Sequence, residues 1–169
     1  MDVLTGATAS MSFNSPVETG LRSLCLLTAA HPSPYTLERL TVCDYLLVHS
    51  DDIVDGPAGL HPRTPYRGGE LVARRGVLQD GLLLYISRRL IDQNFTTAGV
   101  QFVASNRAAA FLDALTAPYV RDLRERADWV VSKFGRTDAD ALAKIVEDGL
   151  GRWGAEFTLQ PGFESVRTT

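Results

Sequence analysis

The chain has no excess of positive charge and no long apolar run. Its 169 residues carry 17 Lys and Arg against 20 Asp and Glu, for a net charge of −3. That balance argues against a protein that binds nucleic acid over its whole surface. No apolar stretch reaches the roughly 18–20 residues of a membrane-spanning helix, and the N-terminus has no basic segment followed by an apolar one, as a secretion signal would. We therefore expect a cytoplasmic protein with no contact to membranes.

Cysteine is scarce, and hydrophobic residues are not. The two cysteines, Cys25 and Cys43, stand within apolar helical patterns, so we expect reduced, buried thiols. With 45% hydrophobic residues over 169 positions, the chain can bury one sizeable core. We predict a single domain over residues 13–158, between a flexible N-terminus at 1–12 and a flexible tail at 159–169.

Helical periodicity dominates what is present. The first helix start is marked by Ser15 as N-cap, Pro16 in the first turn and Glu18 three residues after the cap. Apolar spacing predicts helices at 16–30, 36–49, 69–89, 107–115, 118–134 and 138–149. Gly76 and Gly81 lie inside the third of these and predict either a break or a close packing contact.

The third helix leads directly into a short hairpin. Residues 90–104 contain two short strand-like runs about a turn at 97–99, which is typical of paired antiparallel strands. A winged helix-turn-helix protein places its third helix and its wing in this order. We predict a mainly α fold with a small β-hairpin, built as a winged helix-turn-helix-like core with additional C-terminal helices.

The long connection at residues 50–69 is rich in proline and glycine, and loops of this length in a compact domain are often functional. Four residues of metal-ligand type, His49, Asp51, Asp52 and His61, lie in or beside it. Asp51 and Asp52 could bind a hard cation, but the ligand-every-second-residue spacing of a calcium loop is missing. We expect no metal ion. We predict instead an ordered, partner-facing polar cluster at the surface that consists of His49, Asp51, His61, Arg67 and Glu70.

Patterns for catalysis are weak. Cys43 and His49 stand six residues apart near one helix end, without an assigned third group to orient them. Residues 67–70 (RGGE) precede a helix, where phosphates can bind, but they lack the Lys-Ser/Thr of a P-loop and the three glycines of a dinucleotide site. We therefore expect no catalytic residue and no cofactor, and a protein that is not an enzyme.

Positive charge is concentrated in one stretch. Between positions 63 and 89 six arginines stand against two carboxylates, a local charge of +4 in a chain of −3. The six are Arg63, Arg67, Arg74, Arg75, Arg88 and Arg89. Three interpretations stay open: a winged helix that contacts DNA phosphates, a docking surface for an acidic protein, or solvated helix faces with ordinary salt bridges. The uncharged turn of the wing and the acidic total favour a protein partner.

An aromatic residue follows the last predicted helix. Trp153 stands between Gly151 and Gly154, which allow close backbone approach. It is either a core plug or an interface anchor, since Trp and Arg dominate binding hot spots. The residues from which we predict partner contacts are His49, Asp51, His61, Arg63, Arg67, Glu70, Arg74, Arg75 and Trp153.

Several segments resemble the middle component, second type, of ABC-three-component systems. They are residues 13–22 (FNSPVETGLR), 40–50 (LTVCDYLLVHS), 60–62 (LHP), 67–71 (RGGEL), 74–75 (RR), Tyr119, 123–127 (LRERA) and 151–157 (GRWGAEF). The resemblance covers residues 13–158, and helix patterning does not demand its loop motifs.

The resemblance implies a bacterial conflict module that acts against phage or plasmids. Such systems combine a Rad50- or SMC-like ABC ATPase with a third, effector-like component, and the middle protein looks like a small winged-helix adaptor between them. The resemblance implies no catalytic residues. We therefore expect a non-catalytic adaptor that meets nucleic acid at most indirectly, with a DNA-binding winged-helix regulator as the alternative.

Overall fold

The computed structural model describes residues 14–62 and 70–158. Within them, six α-helices accompany a three-stranded antiparallel sheet. The helices are α1 (Pro16–Ala30), α2 (Leu37–Val48), α3 (Glu70–Ser87), α4 (Ala108–Ala114), α5 (Pro118–Phe134) and α6 (Ala139–Thr158). The strands are β1 (Tyr35–Thr36), β2 (Ile91–Thr96) and β3 (Gly99–Ala104). The prediction of a mainly α fold with a small β-element is confirmed.

Side-chain caps explain where several helices begin. The Ser15 hydroxyl accepts a hydrogen bond from the Glu18 amide at 3.3 Å, and the Thr36 hydroxyl accepts one from the Arg39 amide at 3.2 Å. The Asp138 carboxylate accepts from two amides in the first turn of α6. Each cap satisfies amide groups that have no partner inside the helix. The predicted starts of α1 and α6 are therefore accurate.

The hairpin lies where the alternation predicted it. Strands β2 and β3 pair from Ile91 opposite Ala104 to Thr96 opposite Gly99. Gly99 has a φ of +113°, a backbone conformation that favours glycine and lets the chain reverse after a two-residue turn.

The third strand was not predicted. Strand β1 holds only Tyr35 and Thr36, which pair with Phe102 and Gln101 of β3, so the sheet order is β1-β3-β2. Two residues are too few to show an alternating pattern.

The core is built around α1. This helix lies against α2, α3 and α5, and its Leu24, Leu26 and Leu27 are fully buried. Leu40 and Leu46 of α2 meet the same interior. None of the described helices combines the length and the apolar character needed to cross a membrane.

Helix α6 is longer than predicted. We expected it to end near residue 149, with Gly151 and Gly154 beyond it, but it continues to Thr158. A glycine inside a helix costs only about 1 kcal/mol, and apolar residues continue at helical spacing through positions 146, 150, 153 and 157. Trp153 therefore lies inside a helix, not after one.

Some predictions fall on other parts of the chain. The expected flexible segments at 1–12 and 159–169, together with Arg63 and Arg67, lie outside the described residues. The described side chains also exclude those of Glu70 and Trp153, so the roles of these two residues stay predictions.

Candidate functional site

A buried ion cluster joins the first three helices. Asp44 of α2 is fully buried, as is Arg22 of α1. The Arg22 Nε donates to Asp44 Oδ1 at 2.6 Å, and Nη2 donates to Oδ2 at 3.0 Å. Arg74 of α3 reaches the same carboxylate, with Nη1 at 2.5 Å from Oδ2. One carboxylate thus fixes α1, α2 and α3 to each other.

The two arginines keep Asp44 charged. Burial by itself would raise the pKa of Asp44, but the charges and hydrogen bonds of Arg22 and Arg74 hold it below its ordinary value. Removing one member of such a group leaves an uncompensated charge in the interior. The cluster therefore holds the three helices in place, and Asp44 does not exchange a proton near neutral pH.

A row of aromatic and histidine rings extends from this cluster towards α5. The guanidinium of Arg74 lies 5.6 Å from the centre of the Tyr45 ring, and that ring lies 4.9 Å from the ring of His49. The ring centroids of His49 and His61 are 6.3 Å apart, and His61 Nε2 lies 2.8 Å from the hydroxyl of Tyr119. The row crosses the interior from α3 to α5.

The pKa values of two residues in this row, His61 and Tyr119, are shifted from their ordinary values. Burial, together with the nearby charge of Arg22, lowers the pKa of His61 to about 4. Burial and a hydrogen bond with Glu18 raise the pKa of Tyr119 above its ordinary value. His61 is therefore neutral at physiological pH, as suits a partly buried ring beside a tyrosine hydroxyl.

The connection after α2 is held to the helices that flank it. The amides of Leu60 and His61 both donate to the carbonyl of Val48, at 2.9 and 3.1 Å. The Arg126 side chain of α5 donates to the carbonyl of Ala58 at 2.7 Å. The Tyr45 hydroxyl donates to the Asp52 carboxylate. These bonds give residues 50–62 a fixed path, in which the described regular secondary structure is one short 3-10 helix at Ser50–Asp52.

The chemistry expected of a nucleophile does not fit Cys43. The thiol is buried, and burial raises its pKa to about 12, whereas a nucleophilic cysteine needs a lowered pKa. Among residues 14–62 and 70–158, no three side chains of His, Cys, Asp or Glu come together as metal ligands would.

The outward side of α3 is the most unusual exposed surface near the cluster. Val72 is 79% exposed and Leu83 is 55% exposed, with Gly76 and Gln79 between them on the exposed side. Arg75 is exposed there too, and its Nη2 lies 2.9 Å from the carboxylate of Glu38. We call this the α3 outer face; it combines Val72 and Leu83 with small and polar residues, the paired Arg75 and the exposed carboxylate of Asp80.

The hairpin adds a second apolar element. Phe95 of β2 lies opposite Val100 of β3, and Phe95 is 79% exposed. Large apolar side chains exposed to this degree mark surfaces that contact other molecules when they lie close to each other.

The predicted site residues divide into three groups. His49 and Arg74 are buried, and their described contacts lie within the chain: the His49 amide donates to the carbonyl of Tyr45 at the end of α2, and Arg74 bonds Asp44. Asp51 and His61 lie in the ordered loop and are partly exposed. Arg75 is exposed on the α3 outer face. The partner contacts of all five residues stay predictions.

Sequence reasoning missed the residues that organise this region. Arg22 and Asp44 were overlooked although each is a charged residue inside an apolar helical run. Charged residues are almost never fully buried unless they are paired, so that placement was the available signal. The exposure of Val72, Leu83 and Phe95 could not be predicted, because a single sequence does not show which apolar residues of a helix or strand face solvent.

The chain is thus a small, mainly helical protein with a buried ion cluster and with apolar side chains exposed on α3 and on the hairpin. The chain belongs to the Middle Component 2 family of ABC-three component (ABC-3C) systems, whose model matches residues 12–156. No curated protein and no solved structure matches this chain. The resemblance noted from its motifs is thereby confirmed.

Proposed function

We propose that this chain is a non-catalytic adaptor that holds an effector component against a Rad50- or SMC-like ABC ATPase. The family supports the setting, since a middle component works with other components of a three-component system. Beyond the family, the proposal names the two partners that the chain connects, a cytoplasmic bacterial location and a role in defence against phage or plasmids.

The order of elements supports a winged-helix architecture within this proposal. Helix α1, strand β1 and helices α2 and α3 precede the β2–β3 hairpin, and β3 lies between the other two strands. In such a protein α3 would be the recognition helix and the hairpin the wing, so the α3 outer face is the surface on which function depends.

The single observation that carries the proposal is the distribution of side chains on α3. Arg74 turns inward to Asp44, while Val72 and Leu83 face solvent. A helix that enters a DNA groove uses polar and cationic side chains against bases and phosphates. An outward face with two exposed apolar side chains, and with Asp80 to offset the charge of Arg75, instead suits contact with protein, where apolar anchors supply the binding energy.

The ion cluster explains how such an adaptor would transmit a change. Because Asp44 links α1, α2 and α3, the α3 outer face cannot shift without moving the rest of the domain. A partner that changes shape with bound nucleotide would therefore displace the whole adaptor, and with it the second partner, as a rigid body.

Co-purification tests the proposal. The ABC ATPase and the effector that the proposal requires are expressed with and without this chain, and assembly is measured by size-exclusion chromatography with light scattering. We expect a three-protein complex that forms only when this chain is present. Leu83→Glu should weaken that complex, whereas Val54→Glu, at a residue that is 72% exposed on a loop, should not.

Two results would reject the adaptor. The first is an ATPase–effector complex that forms equally well without this chain. The second is a chain that binds neither protein but binds the DNA upstream of its own gene, which would support a regulator. Exposed Arg75 on α3 is the observation that keeps this second function in view.

A further inference from the structure

A second apolar surface lies beyond the C-terminal end of α3. A cavity of about 460 Å³ opens there between α1, α3 and α4. Its apolar floor is formed mainly by Val17, Leu84, Tyr85 and Phe111, and Arg88 and Arg107 line it as well. We call this cavity the α3–α4 groove.

The floor of the groove is rigid. The Tyr85 hydroxyl donates to the carbonyl of Val17 at 3.0 Å. The Tyr85 ring meets Phe111 edge to face, with 6.4 Å between ring centroids. Val17 is nevertheless 61% exposed and Phe111 36% exposed. The groove thus presents a preformed apolar surface that does not have to be ordered on binding.

The two arginines are carried by turns that are bonded to each other. The Ser105 hydroxyl donates to the carbonyl of Arg89 at 2.8 Å, and the Ser105 amide donates to the carbonyl of Leu90 at 3.0 Å. The Arg107 amide donates to the Ser105 hydroxyl at 3.2 Å. Ser105 therefore holds the turn after α3 and the turn before α4 in a fixed relation, with one arginine on each.

The positive charge of this groove is not balanced by its described neighbours. Two arginines elsewhere on the surface have carboxylate partners, Arg75 with Glu38 and Arg124 with Asp113. In the part of the chain that the structure describes, no carboxylate forms a salt bridge with Arg88 or Arg107. An apolar floor beside two such cations complements a segment with apolar and acidic side chains.

We propose that the α3–α4 groove binds an acidic, amphipathic segment of one partner component, with its apolar side chains on Tyr85 and Phe111 and its carboxylates on Arg88 and Arg107. This inference rests on the proposed adaptor function and deepens it. An adaptor needs two docking surfaces, and the groove is separate from the α3 outer face. Helices that place an apolar side in a groove are a recurrent mode of recognition.

Charge reversal at the two arginines tests the proposal. The purified ABC ATPase and the purified effector are each titrated into the full chain at physiological salt, and binding is measured by surface plasmon resonance. Arg88→Glu with Arg107→Glu should weaken the binding of one component at least about tenfold. Arg121→Glu with Lys144→Glu makes the same charge change at exposed positions on α5 and α6, and should change that affinity less than about twofold.

A matched pair of truncations tests the floor. Phe111→Ala should weaken the same component about tenfold or more, since a large apolar anchor is lost. Ile145→Ala removes a side chain of similar exposure, at 38% against 36%, and should leave the affinity unchanged. Thermal melting of both variants shows whether either has lost its fold. If Phe111→Ala does not fold, Phe111→Leu, which retains a smaller apolar side chain, is measured in its place.

Photo-crosslinking identifies the occupant. A photoreactive phenylalanine analogue at position 111 should crosslink to a partner segment that contains both acidic and apolar residues. A crosslink to a second copy of this chain, to its own residues 1–13 or 159–169, or to a basic segment would overturn the proposal. If Leu83→Glu abolishes the complex while charge reversal has no effect, the adaptor stands and the groove proposal fails; if neither component binds the unaltered chain, both fail.

Discussion

Gly20 of α1 and Gly81 of α3 meet where the two helices cross. A Cβ atom at position 81 would lie 2.7 Å from the Gly20 nitrogen, and one at position 20 would lie 2.8 Å from the Gly81 carbonyl oxygen. The backbones of α1 and α3 are in direct contact at this crossing, and there is no room for a side chain between them. The position of α3, and so of its outer face, depends on these two glycines.

Substituting one of them should therefore destabilise the protein. Gly81→Ala places a methyl group against the backbone of α1, and overpacking of this kind costs about 1–3 kcal/mol. Urea unfolding followed by circular dichroism measures the change. Gly76→Ala is the control, because a Cβ there meets nothing within 4 Å; it should stabilise the protein by up to about 1 kcal/mol. Equal effects of the two substitutions would contradict this account.

These glycines also show how far the sequence could be interpreted. Both Gly76 and Gly81 stand out in a helical pattern, and the sequence alone predicts a break or a close contact for each. The structure has neither a break nor any contact at Gly76, and a tight crossing at Gly81. Helix spacing reports which residues form a helix, but what lies against them is a property of the tertiary structure.

The candidate site was predictable to a smaller extent than the fold. Arg74 and Arg75 are adjacent and identical in type, yet one is buried on Asp44 and the other is exposed beside Glu38. A turn of about 100° per residue separates their directions, and only the packing of α3 on α1 and α2 decides which of the two points inward. The family motifs, by contrast, are a matter of sequence identity and were recognised without any structure.

The buried ion cluster should be essential for stability. Asp44→Ala leaves Arg22 and Arg74 close together in the interior without their carboxylate, and breaking a buried pair costs about 3–5 kcal/mol. Glu38→Ala breaks the exposed pair with Arg75 and should cost less than about 1 kcal/mol. Denaturant midpoints of the two variants give the comparison. A loss at Asp44 as small as that at Glu38 would show that the cluster does not fix the helices.

Stability should depend on pH through His61. Its pKa is about 4 in the folded protein against 6.5 for the ordinary group, so between these values the unfolded state binds more protons. The free energy of unfolding should then be constant above about pH 6.5 and fall as the pH drops towards 4. Because the ring is partly exposed, we expect a loss of about 1–2 kcal/mol.

Urea unfolding at several pH values between 7 and 4 measures this loss. His61→Gln removes the titrating group and should flatten the curve in that window, whereas His31→Gln, at an exposed position, should leave it unchanged. Asp44 contributes in a different window, since its pKa is lowered and its stabilisation is lost only as the pH falls through that lowered value. A slope that survives in His61→Gln would assign the effect to another residue.

The two cysteines should be inert in the folded protein. Both are free and buried, and burial raises the pKa of each thiol to about 12. We expect a thiol-specific chromogenic reagent to react with neither until the protein unfolds, and then with both. Fast labelling under native conditions would mean that the interior opens readily at α1 or α2.

DNA binding separates the adaptor from the regulator. If the α3 outer face meets protein, the full chain should bind duplex DNA only at about 10⁻⁴–10⁻⁶ M, with a steep dependence on salt. A regulator would form a symmetric dimer and bind a palindromic site at about 10⁻⁸ M or better. Fluorescence anisotropy with DNA from upstream of the gene measures this affinity.

The variants used in this measurement must keep Arg74, because its loss would remove one of the two arginines that pair with Asp44. Arg75→Ala with Arg89→Ala removes exposed cations instead. Nanomolar, sequence-dependent binding that this double variant abolishes would overturn the adaptor, since an outward face with a single paired arginine gives no other reason for such affinity.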